Sequence, residues 1–147
     1  MEVERIALRE IVRFQNEKKL SSREFDLDVE TLNVLEELLE ARGVNDRNVA
    51  FDLLGDLKNR VDEEFRAGRQ HPVEEDDIID AFADIIVFSV GAFMKKKYIP
   101  ELVLQETAKE VNSRIGTIVN GKFIKDTSKK AMALRYKAQY GKAKLLV

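Results

Sequence analysis

Cysteine and tryptophan are absent and histidine occurs once. Without thiols, thiolate catalysis, cysteine-ligated zinc and iron–sulfur clusters are excluded, and the composition suits a reducing compartment. One histidine, His71, cannot supply the two Glu-x-x-His pairs of helical di-iron proteins, and no Ser/His/Asp relay is recognisable around it. It lies in the polar connection RQHP and reads as a loop residue. Long apolar runs are missing too: the longest uncharged one, Ile85 to Met94, is about half the ~20 residues that a bilayer demands. The first residues, MEVERIALRE, lack the apolar centre of a signal peptide. A cytoplasmic protein without membrane contact is therefore expected.

What is present is charge on an apolar framework. The 147 residues are 44% hydrophobic and 35% charged, which suits a single domain, 1–147, burying roughly 70% of its unfolded surface. The charges segregate: residues 26–84 hold 18 acids against 6 bases, whereas residues 108–147 hold 2 acids against 10 bases. Such a division fits an anion carried with a divalent cation, but from charge alone an internal docking of acids on bases ranks ahead of it.

Helical periodicity dominates. Val3, Ile6, Ile11, Val12 and Phe14 mark a first helix over residues 2–19, ending before Ser21-Ser22. Asp28 is placed to cap a second, VETLNVLEELLEAR, terminated by Gly43, and Asp46 to cap a third that ends at Ala67-Gly68. Pro72 sits at the start of the longest, Val73 to Lys97, whose terminal Lys95, Lys96 and Lys97 complement the helix dipole. Pro100 opens a fifth that stops near Gly116. In TIVNGKFIK, Asn120-Gly121 divides two short alternating segments, a strong hairpin signal, and an extended basic tail follows. An all-α bundle of four to five helices, closed by a short C-terminal β-hairpin and the tail, is the expected architecture. GTIVNGK matches the first seven positions of a P-loop, but Phe123 stands where Ser or Thr would bind Mg²⁺, so this motif is rejected.

Two acidic faces stand out. Glu36, Glu37 and Glu40 are i,i+3 and i,i+4 neighbours whose repulsion requires something positive nearby. In DDIIDAFADIIVF, Asp76 to Phe88, Asp77, Asp80 and Asp84 fall within about 60° of one another around a helix otherwise rich in Ile and Phe. Carboxylates withdrawn from water cost several kcal/mol each unless partnered. Two such faces opposed make an all-oxygen cage suited to Mg²⁺, with Mn²⁺ as a substitute. Ser89, Gly91 and Ala92 permit close helix packing, including packing between subunits.

Glu36-Glu37-x-x-Glu40, followed on a later helix by a second acidic pair, resembles the MazG-like all-α nucleoside triphosphate pyrophosphohydrolases, whose pattern is EExxE and then ExxD. Asp80-x-x-x-Asp84 departs from the second element by one residue, and Glu74-x-x-Asp77 meets its formal spacing in an exposed first turn. The segments ETAKEVNSRIG, GKFIKDTS and YKAQY are similar to the tail of phage-type members. The resemblance implies Mg²⁺ held by Glu37, Glu40, Asp80 and Asp84, with Asp77 an outer member, and Glu36 and Glu37 as catalytic carboxylates, Glu36 orienting the attacking water. It implies substrate contacts from Asn112, Arg114, Lys122, Lys125 and Lys129, with Tyr136 or Tyr140 stacking on a base. The implied reaction is hydrolysis of a ribo- or deoxyribonucleoside triphosphate to monophosphate and pyrophosphate, in a homodimer or homotetramer serving nucleotide-pool control or house-cleaning. The alternative is a non-catalytic helical interaction module whose acids and bases pair internally; nucleic-acid binding through the tail ranks third.

Overall fold

A computed structural model describes the backbone of residues 2–120 and 122–146 and the side chains of residues 6–120 and 122–146. The Val3 side chain and Gly121 of the expected turn lie outside them. Among these residues the chain is mostly helical: α1 (Glu2–Glu17), α2 (Leu27–Glu40), α3 (Arg47–Arg66), α4 (Glu75–Lys95), α5 (Pro100–Asn112) and a short α6 (Lys129–Leu134). Strands β1 (Gly116–Val119) and β2 (Lys122–Lys125) form an antiparallel hairpin between α5 and α6, with Thr117 opposite Ile124 and Ile118 opposite Phe123.

The chain gathers into two compact units, one built from residues 1–23 and 74–147 and the other from residues 24–73. The second is a helical hairpin. Asp26 caps α2, its carboxylate accepting the backbone N–H groups of Asp28 and Val29, and Asp46 caps α3 through the N–H of Asn48. The cap of α2 is thus Asp26, two residues before the expected Asp28. Gly43 ends α2 at a positive φ of 84°, where a side chain would be strained, and lets the Val44 N–H reach back to the Leu39 carbonyl. Leu32 and Ala50 are buried, and Lys58 bridges α3 to α2 through Asp28 at 2.7 Å.

In the first unit α1 packs on α5. Ala7 and Phe14, two helical turns apart on α1, are buried, as are Val103 and Ala108 of α5. Phe14 meets Phe123 of the hairpin edge to face, with centroids 5.6 Å apart and planes at 83°, a contact worth about 0.5–1.5 kcal/mol beyond its burial. Pro100 occupies the first turn of α5, where its missing N–H costs nothing. By contrast, α4 does not begin at Pro72. Glu74 is its N-cap, and Glu74 and Asp77 form a reciprocal capping box, with the Glu74 N–H donating to Asp77 Oδ2 at 2.9 Å. Asp77, the expected outer metal ligand, is therefore used by its own helix end.

The basic C-terminal stretch, expected to be extended, instead folds back. Ser128 caps α6, and a 3₁₀ turn at Tyr140–Ala143 packs on α5. The Ile99 N–H donates to the Ala143 carbonyl and the Leu145 N–H to the Lys97 carbonyl, making a small bridge between Tyr98 and Lys144.

Candidate functional site

The glutamate face belongs to the second unit. Glu36, in the third turn of α2, is buried, and its Oε1 accepts from Arg47 Nη1 at 2.6 Å. Arg47 also lies over the Phe51 ring at 5.2 Å, so this one guanidinium joins a cation–π contact to an ion pair. It is the positive charge that the like-charged EExxE pattern requires. Glu37 and Glu40 are exposed on the same helix.

The aspartate face belongs to the first unit. Asp80 and Asp84 lie one turn apart inside α4, both exposed, and neither forms an ion pair among the described residues. Around them Ile79, Ile86, Val87 and Phe88 are also exposed, Phe88 at 72%. Within either unit, no three carboxylate or imidazole side chains among the described residues converge into a metal-binding group. His71 is exposed in the connection before α4, with Nδ1 2.9 Å from the Pro72 carbonyl oxygen. Among the described residues no helix is long and apolar enough to cross a membrane.

The residues expected to contact substrate are divided between the hairpin, α6 and a polar network on α5. Lys122 and Lys125 lie on β2, and Lys129 opens α6. Partial burial, assisted by the neighbouring Lys125, lowers the ammonium pKa of Lys122. Asn112 Nδ2 donates to the carbonyls of Glu10 and Ala108, both at 2.9 Å, which ties α5 to α1. Arg114 Nη2 reaches Glu110 Oε1 at 3.3 Å. Tyr136 donates its hydroxyl hydrogen to Glu106 Oε1 at 2.6 Å, and Tyr140 lies 3.0 Å from Thr107 Oγ1.

The centre of that network is a pair of acids that had no role in the sequence reading. Glu106 and Glu110 are successive turns of one face of α5, and between them they hold residues 135–139. Glu106 also accepts the Gln139 N–H at 2.9 Å and faces Lys109 at 3.0 Å. Glu110 accepts the Ala138 N–H at 2.9 Å and Arg135 Nη2 at 2.8 Å, so Arg114 and Arg135 meet on a single carboxylate oxygen. The Tyr136 hydrogen bond, against burial and with help from Lys109 and the Gln139 N–H, holds the Glu106 carboxyl down at about 2. Burial works to raise Glu110, but Arg135, the Ala138 N–H and Arg114 outweigh it and leave its pKa lowered. The sequence signal was the spacing itself: Glu106 and Glu110 alternate with Val103, Thr107 and Val111 on a helix with little room for unpartnered acids.

No protein-family model, curated protein or solved structure matches the chain.

Proposed function

We propose that the protein is a metal-dependent nucleoside triphosphate pyrophosphohydrolase of the MazG-like, all-α bundle type. The observation that supports this reading best is the pair Asp80 and Asp84: two exposed carboxylates one helical turn apart, without a cation partner among the described residues, in the stretch 78–94 of α4 that carries no other charge. Such a pair has unused capacity for a hard cation. Glu37, Glu40, Asp80 and Asp84 are the residues that would hold Mg²⁺, and the ion would supply electrostatic stabilisation of the charge that develops on attack. Glu36, oriented by Arg47, positions a water for in-line attack on the α-phosphorus. The bond from that phosphorus to the bridging oxygen breaks, pyrophosphate leaves, and the water's proton passes to solvent. Asn112, Arg114, Lys122, Lys125, Lys129 and Tyr136 line the proposed path of the substrate, and Asn112, Arg114 and Tyr136 also serve the α1–α5 and tail contacts described above.

A second copy of the chain is part of the proposal. No residue of α4 is buried, and a Cβ built on Gly91 would meet nothing within 4 Å. Its small residues and exposed Ile79, Ile86 and Phe88 therefore suit a homodimer or homotetramer.

The ion pairs Glu36–Arg47 and Asp28–Lys58 favour the rival reading, an interaction module with internally paired charges. Incubation with a panel of nucleoside triphosphates and Mg²⁺, with products separated by chromatography, tests the choice. Monophosphate plus pyrophosphate is the expected outcome. Predominant orthophosphate would reject attack at the α-phosphorus, and an inert protein whose melting point ignores Mg²⁺ and Mn²⁺ would leave the module.

A further inference from the structure

The end of α1 and the β-hairpin enclose an open cleft of about 550 Å³, wholly within the first unit. That volume lies in the range of small-ligand sites, roughly 300–1,000 Å³. Phe123 and Ile118 give it an apolar floor, Thr117 a hydroxyl, and Lys18, Lys19 and Arg23 a cationic rim. The one acid on the rim, Glu17, has Arg13 at 3.9 Å as its own partner. None of the three rim cations forms an ion pair among the described residues. Lys18 is held in place all the same, its Nζ 5.7 Å from the centre of the Phe123 ring. Phe123 is in turn fixed by Phe14, and the floor keeps its shape because Gly116 lies against the Ile124 carbonyl, where no side chain fits.

Three cations within six residues repel one another, and an apolar floor strengthens both that repulsion and any attraction that replaces it. A univalent anion would neutralise one of them. Linked phosphates neutralise two or three at once, and an attached ring would have Phe123 and Ile118 to lie against. We propose that this cleft binds the phosphate chain of a nucleotide or free pyrophosphate, with Lys18, Lys19 and Arg23 as its anion ligands. The site contains none of the carboxylates assigned to metal, so it stands or falls separately from the hydrolytic reading.

Calorimetric titration of the full chain at low salt, with EDTA to remove metal-bridged binding, tests it with pyrophosphate, ADP and orthophosphate. Pyrophosphate should bind at one site and more tightly than orthophosphate. Lys18→Gln and Arg23→Gln should each weaken it about fivefold and together about twentyfold, while Lys142→Gln changes nothing. Binding of ADP tighter than pyrophosphate assigns the site to nucleotides, and equal or weaker binding assigns it to free pyrophosphate. Should Lys18→Gln disturb folding through Phe123, Arg23→Gln carries the comparison, with unchanged melting as its control. The proposal is overturned by absence of heat up to about 5 mM pyrophosphate, by equal affinity for orthophosphate, or by rim variants that bind like the parent. It is also overturned if Asp84→Asn abolishes the binding, which would move the anion to the acidic helices. Capture of a single-stranded oligonucleotide without pyrophosphate binding would make the rim a nucleic-acid surface instead.

Discussion

The hydroxyl of Tyr136 and the carboxylate of Glu106, thirty positions apart in sequence, meet at 2.6 Å on the inner face of α5. This contact, repeated by Gln139 on Glu106 and by Arg135 and Ala138 on Glu110, turns a lysine-rich segment into an ordered part of the first unit.

Tyr136→Phe should therefore loosen that segment without changing its apolar packing. Loss of one charge-assisted hydrogen bond in a chain of this size corresponds to a melting point lower by roughly 3–6 °C. Faster amide hydrogen exchange at Ala138 and Gln139 would locate the change, and unchanged exchange there would count against the contact.

The same contact sets a pH response. The Glu106 carboxyl is lowered from 4.5 to about 2 in the fold, so its stabilisation is complete above about 4.5 and is lost as pH falls through about 2. Acid unfolding followed by circular dichroism should lose this contribution across that window in the parent protein. In Glu106→Gln the contribution should be missing at every pH.

Arg47→Met should destabilise the second unit by about 1–3 kcal/mol, because the buried Glu36 carboxylate loses its guanidinium. Pairing it with Glu36→Gln should recover part of that loss. A double-mutant cycle in urea measures the coupling, and a value near zero would mean that the pair contributes nothing to the fold.

Gly116→Ala is expected to be among the most damaging single changes in the first unit. Its Cβ would lie 2.1 Å from the Ile124 carbonyl oxygen across the hairpin, so β1 and β2 must separate. A cost of about 1–3 kcal/mol in chemical unfolding is expected, together with loss of the Phe14–Phe123 ring contact in NMR spectra.

On the proposed pyrophosphohydrolase reading, Glu40→Gln and Asp84→Asn should abolish nucleotide turnover while preserving or raising the metal-free melting temperature, since each removes a like charge from an acidic face. Full activity in both variants would defeat the carboxylate assignment.

The features readable from sequence were those whose physics is local. Pro100, Gly43 and Asp46 mark helix ends through their own backbone chemistry and their immediate neighbours, and all three do so in the fold. Where two local signals competed, the stronger geometry won: Asp26 displaced Asp28, and the reciprocal Glu74–Asp77 box displaced Pro72 as the start of α4. The glutamate and aspartate faces were legible as helical spacings. Arg47, the counter-charge of Glu36, lies eleven residues away across a turn and was not. Glu106 and Glu110 were passed over for a similar reason. Apart from Lys109 and Arg114, their partners come from 25 to 33 residues downstream, out of reach of any periodicity. For the same reason the 3₁₀ turn, which packs on α5, reads from sequence as part of an open tail.

The first unit is discontinuous in sequence: residues 24–73, which form the second unit, come between α1 and α4 along the chain. During synthesis α1 leaves the ribosome well before α5, the helix it packs on, whereas α2 and α3 are adjacent and can pair at once. Because closure entropy rises only with the logarithm of the spacer, the interruption costs the finished molecule little. Its effect is on chronology: α1 waits for α5 while α2 and α3 already pair, and its apolar stripe is open to chaperones for that whole interval.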